Sequence, residues 1–500
     1  MRRAGRVEVV VFVVAAAGAC ASGCERREPV SSQPPILRIG AGVPAQGTRG
    51  SGLDYLTSAM TADSWLAQGA DGRLTERLVR EWTWSDDNTV LHLKLRKDVQ
   101  LHDGTRFTPD VAAVAMRETL ASGEYASFAT VRSVEPTGDD SLILRLSEPN
   151  SFLLIDLSLS SVTLTRNKQT LGTGAFEMVN RDAGHAQFRA FSKYYRGRPA
   201  LDEVSVTTYP TQRNAWAALM RGEIDMLYDV SRDAVDFVEA ETTVKTYSFL
   251  RPYYNLLGFN VRHPVLKSAE VRRALNEAID KDALVRDGLR GRGRPADGPL
   301  IPGHWAYSPP AHPFVFNPQG AAARLEAIGL RTHPVGAGRM PSRFSFDCLI
   351  LADDVRFERM GVLVQKQLAD IGVDMRLVPL PLKELAVRIR RGQFEAFLFE
   401  MNGRSLSWAY AFWYSGNNAP FNDSGYTATD AVLERIRLAR SEDDIRARVA
   451  EFLQIIHDDP PAVFLTWGET SRAVTRKFDV AGEPGRDIVP NAWNWRLASH

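Results

Sequence analysis

Leu91-His92-Leu93-Lys94-Leu95-Arg96-Lys97-Asp98-Val99-Gln100-Leu101-His102-Asp103-Gly104-Thr105, followed closely by Thr108-Pro109-Asp110-Val111, carries strand, turn and helix signals in one short stretch. Leu91, Leu93 and Leu95 alternate with polar residues, so they share one face of a half-buried strand. Asp103-Gly104 is a turn pair. Thr108 stands where a helix needs its N-cap. Pro109 takes the first helical position, and Asp110 meets the positive end of the helix dipole. Residues 111–120 are rich in alanine and other helix formers.

Working outward, Trp82-Thr83-Trp84-Ser85-Asp86-Asp87-Asn88 runs from strand residues into turn chemistry and predicts a hairpin with residues 90–95. Residues 141–146 alternate as a further strand. Residues 36–39 form a short apolar strand, and Gly40-Ala41-Gly42-Val43-Pro44-Ala45 follows. The glycines superficially suggest a dinucleotide-binding turn. Pro44, Gly47, Gly50 and Gly52 supply no helix start for a pyrophosphate, so a glycine-rich loop is expected. Ser268 is placed to cap a helix whose apolar positions are Val271, Ala274, Leu275, Ala278 and Ile279. Phe344, Phe346, Cys348 and Ile350 share a strand face. Met360, Leu363, Val364, Leu368 and Ile371 follow at helical spacing up to Gly372, and Val373, Met375 and Leu377 begin another strand. Strand, helix, strand is the pattern of an α/β unit with at least one parallel pair.

The chain has 500 residues, with 61 Lys plus Arg against 60 Asp plus Glu. That balance leaves no electrostatic footprint for nucleic acid. The basic run 286–294 reads as a solvated loop or helix end. Only Cys20, Cys24 and Cys348 are present, too few for a disulfide framework or a four-cysteine zinc site. Arg2, Arg3 and Arg6 precede an apolar run, Val9 to Ala19, of signal-peptide length. Ala21-Ser22-Gly23-Cys24 resembles a lipobox with Ala21 in place of the usual leucine, and Ala17-Gly18-Ala19-Cys20 is a weaker second candidate. Cleavage before Cys24 would leave residues 1–23 as signal peptide, Cys24 as the lipidated residue and the proline-containing stretch 24–35 as a tether. An ordinary cleaved signal exports the chain equally well.

Several further motifs occur in order: Gly172-Thr173-Gly174-Ala175-Phe176, Tyr194-Tyr195-Arg196-Gly197-Arg198-Pro199, Arg221-Gly222-Glu223-Ile224-Asp225, Gly258-Phe259-Asn260, and Val271-Arg272-Arg273-Ala274-Leu275 with Ala278-Ile279-Asp280-Lys281. Together with the opening stretch, they resemble the extracellular solute-binding proteins of family 5, which serve peptide and nickel ABC importers. The resemblance runs from about residue 36 to the C-terminus. It implies an α/β, bilobal, periplasmic-binding-protein-like fold of type II with mixed sheets, an extra subdomain and a ligand cleft between the lobes. Lobe I would comprise 36–70, 171–257 and 470–500, the inserted subdomain 71–170, and lobe II 258–469. It further implies a monomer that closes by a hinge around one small molecule, such as a peptide, and docks on an ABC permease.

No G-x-S-x-G, P-loop or H-E-x-x-H pattern is present, and no histidine pair has metal-ligand spacing on a helix. His102 reads as structural, and His457-Asp458-Asp459 before Pro460 reads as a helix end. No enzyme activity, metal or cofactor is therefore expected. The most aromatic stretch, 404–418, supplies the candidate ligand-binding residues: Arg404, Trp408, Trp413, Tyr414 and Asn417. In peptide-binding members an aspartate in this region pairs with the ligand's α-amino group. Here Asn402-Gly403-Arg404-Ser405 stands near that place, which turns the expectation toward an acidic or neutral ligand. Glu400 is a candidate substitute partner for a cation. Two other readings use the same fold: a sensor or chaperone without transport, and an envelope hydrolase.

Overall fold

The alternation at Leu91, Leu93 and Leu95 becomes the strand Val90–Leu95, with all three leucines buried. It pairs antiparallel with Val79–Trp84 on one side and Ser141–Leu146 on the other. Asn88 turns the first hairpin at φ 54°, a left-handed conformation that asparagine tolerates. Val131–Thr137 completes a four-stranded sheet. The helix Pro109–Ala121 starts as its sequence dictates, with the Thr108 hydroxyl accepting from the Val111 N–H at 3.5 Å. Its Ala112, Ala115 and Met116 join Trp65, Leu93, Leu144 and Leu157 in one core built within residues 65–171.

The computed structural model describes residues 35–42, 52–310, 312–334, 341–416 and 422–499. Cys24 and Asn417 lie outside these residues, as does the tether up to residue 34. The remaining described strands are dominated by one eleven-stranded mixed sheet. Ten strands form its path, Phe176–Arg181, His185–Ala190, Glu203–Tyr209, Ile36–Gly42, Met226–Leu227, Ala462–Thr475, Val244–Phe259, Ala396–Asn402, Phe344–Leu351, Val373–Leu380, and the eleventh, Gly293–Pro295, pairs with Ala462–Thr475 off that path. The expected strand–helix–strand is present. Phe344–Leu351 and Val373–Leu380 pair in parallel, and the helix Val355–Asp370 between them ends before Gly372 at φ 78°.

Two long strands, Val244–Phe259 and Ala462–Thr475, carry this sheet from one body of the bilobal molecule into the other. At about 3.3 Å per residue, the longer spans roughly 50 Å. Their sequences change character midway. Tyr254, Leu256, Leu257 and Phe259, with Ala462 to Leu465 and Trp467, lie in the core around the parallel strands. Val474 belongs to the core around Leu37, Phe188, Val204 and Trp495, and Ala473 and Val244 belong to a smaller cluster beside it. Between these cores the chain reads Arg251-Pro252-Tyr253 on one strand and Gly468-Glu469-Thr470-Ser471-Arg472 on the other.

Two local readings need correction. Ser268 stands at the N-cap of the helix Ala269–Glu277, but its side chain makes no capping bond. A helix, Gly52–Thr61, follows the glycine-rich stretch where only a loop was expected; burial of Leu53, Leu56 and Met60 outweighs the weak helix propensity of its first residue.

Candidate functional site

The two crossing strands lose register where they pass between the bodies. Leu250 pairs with Glu469 and Tyr254 with Trp467, so residues 251–253 oppose the single residue Gly468. Pro252 has no N–H to give the ladder, and its carbonyl accepts from Gly403 instead. Side chains alternate along the other strand, so Gly468, Thr470 and Arg472 look to one side. On that side the chain assembles a charged patch from distant segments.

Arg251 donates to Glu400 at 3.2 and 3.3 Å. Arg356 reaches the same carboxylate at 3.8 Å and holds Asp354 at 2.6 Å. Burial alone would push the Glu400 carboxyl up; Arg251 and Arg356 outweigh it and hold it below the usual carboxylate range. Arg472 donates to Asp487 at 3.0 Å and lies 4.0 Å from both Asp229 and the centre of the Tyr228 ring. Asp229 also accepts from Thr470 at 2.5 Å and Gln212 at 2.9 Å, and Asp487 accepts from the Tyr55 hydroxyl at 3.0 Å.

Arg232 differs from its neighbours. Its Nε is enclosed and has no hydrogen-bond partner among the described residues. Burial, with Arg356 and Arg251 close by, lowers its pKa to about 10, so it still carries its charge at neutral pH. A Cβ on Gly468 would lie 2.6 Å from an Arg232 Nη, so only glycine leaves the guanidinium its place beside the strand.

The residues chosen from the aromatic stretch divide among different environments. Arg404 is exposed, and among the described residues its one hydrogen bond runs from its backbone N–H to Asn402. Arg404 follows Gly403, whose N–H donates to Pro252 at the crossing, and its charge acts on the Tyr55 and Tyr125 hydroxyls, one on the helix Gly52–Thr61 and the other beside the four-stranded sheet. Ser405 caps the helix Leu406–Trp413 through the Trp408 N–H. Half-buried Trp408 meets Tyr125 edge-on at 6.2 Å. Tyr414 stacks on Tyr410 at 4.5 Å. Trp413 is placed in the core: it is 3 % exposed, packs against Phe412 and Phe464, and spends its indole N–H on the Tyr254 hydroxyl at 3.3 Å. Glu400, read as a free partner for a cation, is already held by two arginines.

Arg232, Arg251, Arg356 and Arg472 escaped the sequence reading. The one local signal was Arg251-Pro252 interrupting a strand rich in aromatic and aliphatic residues. A surface hollow of about 550 Å³ lies elsewhere, lined by His102, Glu177, Arg189, Lys193, Arg198 and Asp202 among others. It stands away from the crossing, so the charged patch is the stronger candidate. Among the described residues no group of three His, Cys, Asp or Glu could hold a metal ion.

Comparison with known proteins places this geometry in context. The chain is 26% identical over 462 residues to heme-binding protein A of Haemophilus influenzae, covering 82% of each chain. It is 21% identical over 463 residues to the dipeptide-binding protein of Escherichia coli, covering 83% of this chain and 85% of the other. Its fold matches the NikA structure from Brucella suis in complex with Fe(III)-EDTA, with a TM-score of 0.80 at 20% identity over 93% of this chain and all of the other. The profile of the bacterial extracellular solute-binding proteins, family 5 Middle, matches residues 73–423. The chain belongs to that family of solute-binding proteins.

Proposed function

We infer that this protein is the extracytoplasmic receptor of an ABC importer, enclosing one small molecule between its two bodies and presenting the closed form to a membrane permease. The observation that carries this reading is the crossing itself: two strands with a three-against-one irregularity, bordered by a charged patch with an enclosed arginine left unpaired. An irregular pair of crossings is where a hinge is cheapest, because few ladder bonds must break. Lobe I would comprise 36–70, 171–257 and 470–500, the inserted subdomain 71–170, and lobe II 258–469. Arg404 and Trp408 would border the ligand, with Tyr414 and Asn417 close to it. Cys24 would carry the lipid that holds the exported monomer at a membrane. Among the described residues no helix is long and apolar enough to cross one.

The relatives' names span heme and dipeptides, and the compared NikA structure holds a metal chelate. The ligand class is therefore read from this chain's own cleft, where no aspartate waits for a peptide's ammonium beside Asn402-Gly403-Arg404. The test is mass spectrometry of small molecules released when the purified protein is denatured, then calorimetry of that compound with ligand-free protein. A single compound binding in one equivalent is expected. A protein that carries no compound and takes up no heat from a denatured cell extract would refute the receptor reading.

A further inference from the structure

On the receptor reading, the arginines and carboxylates of the cleft say what the ligand carries. Arg232, Arg251, Arg356, Arg404 and Arg472 stand on this patch against Asp229, Asp354, Glu400 and Asp487, so the arginines outnumber the carboxylates by one. The pairing matters more than the sum. Each of the four carboxylates already has an arginine within 4.0 Å, and Asp229 and Asp487 have hydroxyl donors as well. None is left for a ligand's ammonium group. Two arginines, in contrast, have no carboxylate partner among the described residues. Arg232 sits beside Gly468 with its Nε enclosed, and exposed Arg404 follows Gly403, whose N–H donates to Pro252 at the crossing.

These two guanidiniums border one set of charged and hydroxyl groups. Arg404 acts on Tyr55; Tyr55 donates to Asp487; Asp487 holds Arg472; Arg472 lies by Asp229; and Asp229, with Glu400, acts on Arg232. An enclosed donor without an acceptor is costly, and a charged one more so, unless a partner arrives to satisfy it. Guanidinium presents its donors as a planar fork that fits carboxylate or phosphate.

We propose that the cleft is a subsite for a small ligand bearing two anionic groups, one received by Arg232 and the other by Arg404. The aromatic edges of Trp408 and Tyr125 would border the ligand's apolar part. A zwitterionic peptide fits poorly, because beside Tyr125 its ammonium would find, among the described residues, only Glu124, exposed at the rim, and Asp156, buried and held by two serine hydroxyls.

The test is isothermal titration calorimetry on the full-length protein in detergent, freed of any co-purified ligand in denaturant and refolded. Four probes are used: a pool of succinate, tartrate and tricarballylate; a pool of phosphate monoesters; glycerol; and dialanine. One anionic pool is expected to bind, and which one tells carboxylate from phosphate. Arg404→Gln, at an exposed position, and Arg232→Gln should each weaken that binding by about ten- to a hundredfold. Melting temperatures of both variants establish that they are folded. Binding of dialanine with both anionic pools silent overturns the proposal and leaves the receptor reading standing. Silence from all four probes, or unchanged affinity in a folded Arg404→Gln, also overturns it. The receptor reading falls only if a denatured cell extract gives no heat either.

Discussion

Asp156 is a buried carboxylate with no cation beside it among the described residues. It is 1 % exposed and accepts from the Ser127 hydroxyl at 2.6 Å and the Ser407 hydroxyl at 2.5 Å. Burial is the main reason its pKa rises to about 7; Glu124 adds to the rise, and the two serines oppose it. Once the site opens to water, the carboxyl returns to the ordinary range near 4. The enclosed form therefore holds more protons between about pH 4 and 7. Its advantage is full below pH 4 and is lost as pH rises through 7, a change on the order of 4 kcal/mol at most. Melting temperature should fall across that window, and Asp156→Asn should flatten the profile. An unchanged slope in the variant would rule out Asp156 as its source. Trp413 makes a second residue-scale prediction. Buried among Phe412, Tyr254 and Phe464, it should cost about 3–5 kcal/mol when cut to alanine, seen by denaturant unfolding. A change confined to ligand affinity would place it in the cleft instead.

Elements show what the sequence could and could not reveal. Leu91, Leu93 and Leu95, the Thr108-Pro109 helix start and the stop at Gly372 were legible because each signal is local. The longer motifs were equally visible, but most turn out to build the scaffold. Asn260 ties three backbone groups, donating to Gly392 and Phe394 and accepting from Arg262. Arg272 is buried and donates to the Pro460 and Leu266 carbonyls. Asp225 grips Arg38 at 2.8 Å. The cleft arginines at 232, 251, 356 and 472 belong to no motif, and only the sheet order brings them together. The aromatic stretch could not be sorted by composition, since Trp408 and Trp413 lie five residues apart and point about 140° away from each other on a helix. Two glycines separate site from scaffold at this scale. A Cβ at Gly403 would meet the Trp467 ring at 2.4 Å and the Pro299 carbonyl at 2.6 Å, neither free to yield. Gly403→Ala should destabilise the fold by about 1–3 kcal/mol. A Cβ at Gly468 meets only the end of Arg232, a flexible side chain. Gly468→Ala should keep stability within about 0.5 kcal/mol of the parent and weaken ligand binding. Equal melting losses in the two variants would contradict the assignment of Gly468 to the cleft.

At the scale of the whole molecule, the subdomain around the four-stranded sheet is fastened to the far body at two places besides the Ser407–Asp156 hydrogen bond. Ser151 donates its N–H to the Arg437 carbonyl at 2.8 Å, Arg437 holds Glu148 at 3.0 Å, and Phe152 enters the core around the parallel strands. At the other place the Trp305 N–H donates to the Asp71 carbonyl at 2.8 Å, and Arg73 lies over the Trp305 ring. A second clasp joins Arg290 to Asp233 at 2.6 Å and Arg292 to Asp236 at 2.8 Å. Such rim pairs contribute little each, about 0–1 kcal/mol, so they can break and re-form around a ligand. On the receptor reading the arrangement would be the closed member of an open–closed pair, and a ligand would shift that pair only by its preference for the closed form. Small-angle scattering of ligand-free protein, before and after addition of the compound released from the denatured protein, tests this most directly. The account predicts a larger radius of gyration without ligand, falling on addition to the value of the closed arrangement. Identical curves in the two states, with binding shown by calorimetry, would contradict closure around the ligand.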